Sequence, residues 1–175
     1  YFDYAGACGG YLDKYCIPFA RGRVFNTIEE DFKQYDTPCK IFWASGTAFI
    51  TRKQIFNQIN GFDETLFAHM EEIDYHWKCQ LLGYQVWCEP KSTIYHSGGQ
   101  TLSYDSAYKT YLNHRNSLIL LLSNYSLLVS TLLFLPRILL EIISIIKDLI
   151  SLKPTHSFAQ ILAILYAVLR VDILI

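Results

Sequence analysis

A chain of 175 residues and 20.3 kDa provides one domain, or one domain with an appendage. Lys+Arg total 15 and Asp+Glu 16, so the net charge is −1 and the basic excess of an electrostatic nucleic-acid binder is missing. Aromatics at 15% with balanced charge exclude disorder. The averages conceal an asymmetry. Residues 116–175 contain 38 apolar residues in 60 and only seven charges (Arg137, Glu141, Lys147, Asp148, Lys153, Arg170 and Asp172). The other 24 charges lie in residues 1–115. A mixed globular part, 1–115, is therefore succeeded by an apolar tail, 116–175.

In chain order, residues 1–25 are rich in Gly and aromatics and read as loop with short extended pieces. The chain opens at Tyr1 inside an apolar stretch, with no charged segment leading into an apolar one. It reads as a fragment lacking its N-terminal part, without a signal peptide. Residues 26–38 are polar and acidic, a surface loop or short helix. Residues 39–51, CKIFWASGTAFIT, predict a buried strand broken at Ser45-Gly46. Thr51 stands where it would cap a short helix over 52–59, stopped by Asn60-Gly61. Residues 70–82 predict the best helix of this part, with Ile73, Trp77 and Leu81 on one apolar face and Gly83 as its stop. Two strands, 84–88 and 93–96, come next, on either side of Glu89-Pro90. The five cysteines (Cys8, Cys16, Cys39, Cys79 and Cys88) are odd in number and form no CxxC. They read as buried free thiols in a reducing compartment.

The tail begins with a helix over 105–124, marked by Asn113, His114, Arg115 and Asn116. Residues 116–136 carry no charge, and 118–135 approaches the ~20 residues a membrane span needs. Pro136 is expected to break the helical run at that point. Residues 137–152 are amphipathic, with Ile138, Leu139, Ile142, Ile143, Ile146, Leu149 and Ile150 opposite most of the charges. Residues 157–169 are apolar but short for a span. The tail is either a buried helical subdomain or a set of membrane-associating helices. So small a chain has little else against which to bury 38 apolar residues, which favours the membrane.

One constellation could carry chemistry. Glu71, Glu72 and Asp74 share the first turn of the 70–82 helix. Acids there complement the helix dipole by roughly 0.3–1 kcal/mol each. Asp74 and Lys78 are an i, i+4 pair worth a few tenths of a kcal/mol. Their neighbourhood adds to this bland role. Gly61-Phe62-Asp63-Glu64 precedes the helix, and a strand ending in His96 and two glycines comes after it. A histidine opposite a carboxylate cluster is a better metal-ligand candidate than a lone one. His69, His76, His114 and His156 lack that setting and read as structural.

Residues 43–99, from Trp43-Ala44-Ser45-Gly46-Thr47 through Gly61-Phe62-Asp63-Glu64, Phe67, Glu71-Glu72-Ile73-Asp74 and Gly83-Tyr84-Gln85-Val86 to Pro90 and His96, resemble the second half of a family-2 glycosyltransferase catalytic domain. The resemblance is to the bacterial rhamnosyl- and galactofuranosyltransferase-like branch. It implies an α/β fold: the C-terminal portion of a GT-A (Rossmann-like) domain, with an apolar α-helical tail after it. It implies an inverting, metal-dependent transferase moving a sugar from a nucleotide-sugar to a glycan, in kind a lipid-linked one, during polysaccharide synthesis. The general base would be Glu72, where the family pattern has Asp, with Asp74 next and Glu71 supporting. Ser45 and Gly46 match the acceptor-side wall, Trp43 stacks on sugar or packs, and Arg21 and Arg23 lie near the donor. His96 matches a metal ligand for manganese or magnesium. The tail, opening with Asn113, Arg115 and Asn116, would lie on the membrane surface at the cytoplasmic face of a bacterial cell. No Asp-x-Asp and no Gly-rich phosphate loop occur in the 175 residues. Residues 1–115 are therefore expected to be the acceptor-side half, inactive without a nucleotide-binding half. The rivals are a non-catalytic membrane-docking module and a two-carboxylate hydrolase. A hydrolase needs opposed carboxyls about 5–10 Å apart, whereas these acids cluster in one turn.

Overall fold

The computed structural model describes residues 9–24, 27–94 and 105–170. Contacts divide them into two units. The first takes residues 9–13, 17–67 and 71–94, the second residues 14–16, 68–70 and 105–170.

In the first unit, the Gly- and aromatic-rich start becomes four short antiparallel strands: β1 (Gly10–Leu12), β2 (Pro18–Ala20), β3 (Arg23–Val24) and β4 (Thr27–Ile28). A second pair, β5 (Cys39–Ile41) and β6 (Val86–Cys88), is also antiparallel, with Cys39 opposite Cys88. A single bridge, Gly10 to Trp43, ties β1 to the segment after β5. There the indole of Trp43 lies on the Gly10 backbone and donates its N–H to Tyr11 O at 3.0 Å. A Cβ on residue 10 would come within 2.3 Å of the indole ring and 2.6 Å of Phe19 O. Only glycine permits that approach. Every ladder among the described residues is antiparallel, so this part is mixed α and β structure with small sheets, and no Rossmann-like parallel sheet is among them. Thr93 and Ile94 join no strand; Tyr95 and His96 lie outside the described residues.

Helix α1 (Lys53–Gln58) and a 3₁₀ turn (Glu64–Leu66) lead to α2 (Glu71–Leu81). Thr51 does not cap α1. Arg52 takes that position, and the Thr51 hydroxyl hydrogen-bonds the Tyr75 hydroxyl at 2.7 Å. Asn60 and Gly61 end α1 in the left-handed conformation, as expected. Gly83 ends α2 in the same way: its N–H reaches Gln80 O, and Tyr84 N–H reaches Cys79 O. The apolar face of α2 is wider than its i, i+4, i+8 spacing predicts. Ile73 and Trp77 are buried, but Leu81 is 64% exposed, and Tyr75 takes up the burial instead. Phe49, Phe56 and Phe62 surround the Tyr75 ring at 5.6–5.8 Å. Cys16 and Cys79 are buried, and Cys39 and Cys88 are half-buried.

The second unit is built from α3 (Ala107–Asn124), α4 (Leu127–Ile150) and α5 (Pro154–Leu169). The uncharged run 118–135 is not one span: it is divided at Tyr125 and Ser126, both extended. Ser130 then donates to Leu121 O, satisfying a carbonyl in the last turn of α3. Pro136 does not break the chain; it lies inside α4. Its cost of about 3 kcal/mol falls where α4 is pinned on both sides, by Ser130 and by Arg137 and Glu141.

Helix α4 is inside out. Its buried side chains are Ser130, Arg137 and Glu141, while Leu139, Ile143 and Ile150 are 55%, 62% and 79% exposed. Arg137 pairs with Glu141 at 2.6 Å and donates to Ser117 Oγ, which donates to Cys16 O. Glu141 also meets His114 Nδ1 at 2.5 Å. Helix α5 repeats the pattern. Ala159, Ala163 and Ala167 face inward with Ser157 and Gln160, while Phe158, Leu165 and Leu169 face outward. Small residues every fourth position allow close helix approach, while the buried apolar side chains of this unit come chiefly from α3, at Leu112 and 118–122. By length and composition alone, α4 is long and apolar enough to cross a membrane.

Gly10→Ala is expected to destabilise the first unit by about 2–3 kcal/mol or more, because its Cβ meets a backbone carbonyl and a ring with no room to move. Thermal unfolding followed by near-UV dichroism of the tryptophans checks this.

Candidate active site

The turn Ser45–Ala48 closes with Ala48 N–H on Ser45 O at 3.2 Å. Ser45 Oγ accepts the Thr47 N–H and donates to Thr47 Oγ1, stiffening it further. From α2, His76 supports the turn. Its Nδ1 accepts the Ala44 N–H, and its ring meets Phe49 edge-on at 4.8 Å. Burial pushes the His76 pKa down to about 4, so the imidazole is neutral at physiological pH and free to accept.

Gly46 at the tip faces the start of α2. A Cβ there would lie 3.8 Å from Glu72 Cδ and 3.9 Å from Glu71 Oε1. The nearby backbone N–H groups of Glu72, Gly46 and Ile73 favour the charged Glu72 carboxylate and pull its pKa down. Its Oε2 is nevertheless buried without a partner, and so is Oε2 of Glu71. Burial above all, then the Glu71 charge, pushes the Glu72 pKa up to about 7. Burial raises Glu71 as well. Asp74 differs: it is 2% exposed and ion-paired with Lys78 at 2.5 Å. A carboxylate that titrates near neutrality, with one lone oxygen beside a turn of small residues, can take a proton from a hydroxyl placed there.

The structure thus brings Gly46 to Glu71 and Glu72, and Ser45 stiffens the turn that carries Gly46. Trp43, two residues before the turn, is buried over Gly10, which is a packing position. Trp77 packs edge-on against Phe42. Arg21 and Arg23 belong to the β2–β3 hairpin, where the Arg21 guanidinium lies 4.4 Å from the Tyr35 ring centroid. Tyr35 in turn donates to Glu29 and accepts the Gly22 N–H. His96 lies outside the described residues. Among the described residues no three His, Cys, Asp or Glu side chains converge as a metal site. Two carboxylate oxygens are too few for an all-protein cage. Sequence reasoning left His76 without a task, since nothing in its spacing reveals that it braces the turn.

What the fold and this pair define is a carboxyl pair beside a small-residue turn, with the Glu72 pKa pushed up to about 7. No family model and no solved structure matches the chain. Two curated proteins are similar to it, both N-acetylglucosaminyl-diphospho-decaprenol L-rhamnosyltransferases of Mycobacterium tuberculosis, from strains CDC 1551 / Oshkosh and ATCC 25618 / H37Rv. Each is 27% identical over 84 residues, which cover 48% of this chain and 27% of the relative. The matched part spans about a quarter of the length of these relatives. The similarity supports a glycosyltransferase relationship.

The ionised fraction of Glu72 is expected to rise with pH through about 7. Glu71→Gln removes the neighbouring negative charge and moves that limb to lower pH. Folding stability has the opposite slope. The folded pKa lies above the ordinary 4.5, so the folded state binds the proton more tightly and stability falls as pH rises between about 4.5 and 7. NMR titrations of the carboxyl groups in the two proteins measure the limb.

Proposed function

We propose that the protein is an inverting glycosyltransferase in which Glu72 is the general base. The observation that carries this is the buried, unpartnered Glu72 Oε2 beside the Gly46 turn, on a carboxyl whose pKa lies at about 7. An acceptor hydroxyl seated over Gly46 gives its proton to Glu72. Its oxygen attacks the anomeric carbon of a nucleotide-sugar from the side opposite the leaving group. A new glycosidic C–O bond forms as the bond to the nucleoside diphosphate breaks, and the configuration inverts. Proton removal by a placed base contributes about 10²–10⁴-fold. Glu71 keeps Glu72 protonatable near neutrality, and Gly46, having no side chain, leaves the approach open. The fold in this reading is the acceptor-side part of a GT-A domain of the family-2 type. A nucleotide-binding half would complete the site, and His96 would be a ligand for a divalent metal that offsets charge on the departing diphosphate.

The relatives act on a lipid-linked acceptor by their names, and the outward apolar faces of α4 and α5 suit the same setting. The second unit would lie on the cytoplasmic membrane surface, with its polar chain of His114, Glu141, Arg137 and Ser117 turned inward. The acceptor would then reach the site from the bilayer.

Glu72→Gln should lower kcat in nucleotide-sugar turnover by about 10²–10⁴-fold with folding intact, while Asp74→Asn acts chiefly on stability by stranding Lys78. If Asp74→Asn abolishes turnover and Glu72→Gln does not, the base is Asp74. For the membrane, Ile143→Glu with Ile146→Glu on the exposed face should shift the protein from membrane to soluble fraction on centrifugation. An unchanged distribution contradicts lipid contact by α4.

A further inference from the structure

The four residues before Glu71 hold an unusual backbone. Phe67 (φ 61°), His69 (φ 66°) and Met70 (φ 73°) all lie at positive φ, and none is glycine. Phe67, with ψ −59°, is outside even the left-handed helical well. Residues with a Cβ visit this region at a cost and stay only where their surroundings hold them. No glycine relieves the segment and no proline presets it.

Asn116, fully buried on α3, supplies the hold. Its amide nitrogen donates to Ala68 O at 2.9 Å and to His69 O at 2.7 Å. A primary amide has two N–H groups, and here they fork over two consecutive carbonyls. That fork fits only when the peptide between them is turned as the positive φ of His69 turns it. The Asn116 side chain is itself fixed from behind. Its Oδ1 accepts Arg115 Nε at 2.8 Å, and the Arg115 guanidinium sits 5.4 Å from the Tyr111 ring centroid and 5.3 Å from that of Tyr166. Asn is the residue type this demands. Asp has no donor, Gln reaches a methylene too far, and an apolar residue would leave two buried carbonyls unmet.

We infer that Asn116 is a positioning residue for the acid pair: it braces the strained peptides of Ala68 and His69, which run through Met70 directly into Glu71 and Glu72. The carboxylates leave the first turn of α2, so the backbone entering that turn sets where they start. This deepens the reading of Glu72 as the base and rests on it. Placement errors well under the length of a bond in a reacting pair already cost rate, and about 1 Å costs about 10²-fold.

The test uses the intact protein with Asn116→Asp, Asn116→Ala, Asn116→Ala/His69→Gly and Glu72→Gln. The readouts are kcat, KM for the nucleotide-sugar, and amide hydrogen exchange over 67–73, with exchange over α5 as the control for the fold. Asn116→Asp and Asn116→Ala should lower kcat by about ten- to a hundred-fold at unchanged KM. They should speed exchange over 67–73 while α5 stays protected. His69→Gly should recover most of the loss in Asn116→Ala, because glycine holds positive φ without a brace. Unchanged exchange and kcat, a loss of protection extending through α5, or no recovery with His69→Gly would each overturn the inference. If Glu72→Gln keeps its activity, the base assignment fails instead, and exchange over 67–73 still decides whether Asn116 braces the segment.

Discussion

The site depends on the burial of two adjacent carboxylates against a turn with no side chain at its tip. Removing a charge from water is costly, and a protein normally offsets the cost with a counter-ion or a full set of hydrogen bonds. Asp74 obeys that rule through Lys78. Glu71 and Glu72 do not: backbone N–H groups and the start of α2 favour their charge, yet one oxygen of each is left without a partner. Burial raises the pKa of both, and that of Glu72 is pushed up to about 7, where a carboxyl group can serve as a base near neutral pH. The environment thus assigns different work to three acids of one helical turn.

The second unit solves a different problem with an inverted arrangement. A helix pair in water turns its apolar stripe inward. Helices α4 and α5 turn inward an ion pair, serines, a glutamine and alanines, and expose isoleucine, leucine and phenylalanine. The buried apolar side chains of this unit belong chiefly to α3, at Leu112 and 118–122, and α4 and α5 add small-residue contact and hydrogen bonding. The Arg137–Glu141 pair also fixes the rotation of α4, since any other rotation would take it away from Ser117 and His114.

Much of this was legible in the residues. The stops at Asn60-Gly61 and Gly83 lie where left-handed backbone was expected, and α2 spans nearly the range its pattern marks. Other expectations failed for identifiable reasons. Thr51 is drawn to Tyr75 instead of a helix end. Leu81 is exposed because three phenylalanines make Tyr75 the better anchor. Pro136 sits inside a helix whose neighbouring turns are held by buried polar contacts. The positive φ values of Phe67, His69 and Met70 leave no mark in the sequence, because these residue types do not favour that backbone.

The composition asymmetry, the order of elements and the placing of three acids in one first turn come from the sequence by itself, because spacing and turn residues act locally. Only the tertiary structure decided which acid is left uncompensated and which face of α4 is outward. Both depend on what lies opposite a helix, and periodicity fixes positions around an axis without fixing what they meet. Gly46 opposite Glu72, and Glu141 between Arg137 and His114, are neighbours that spacing along the chain does not reveal.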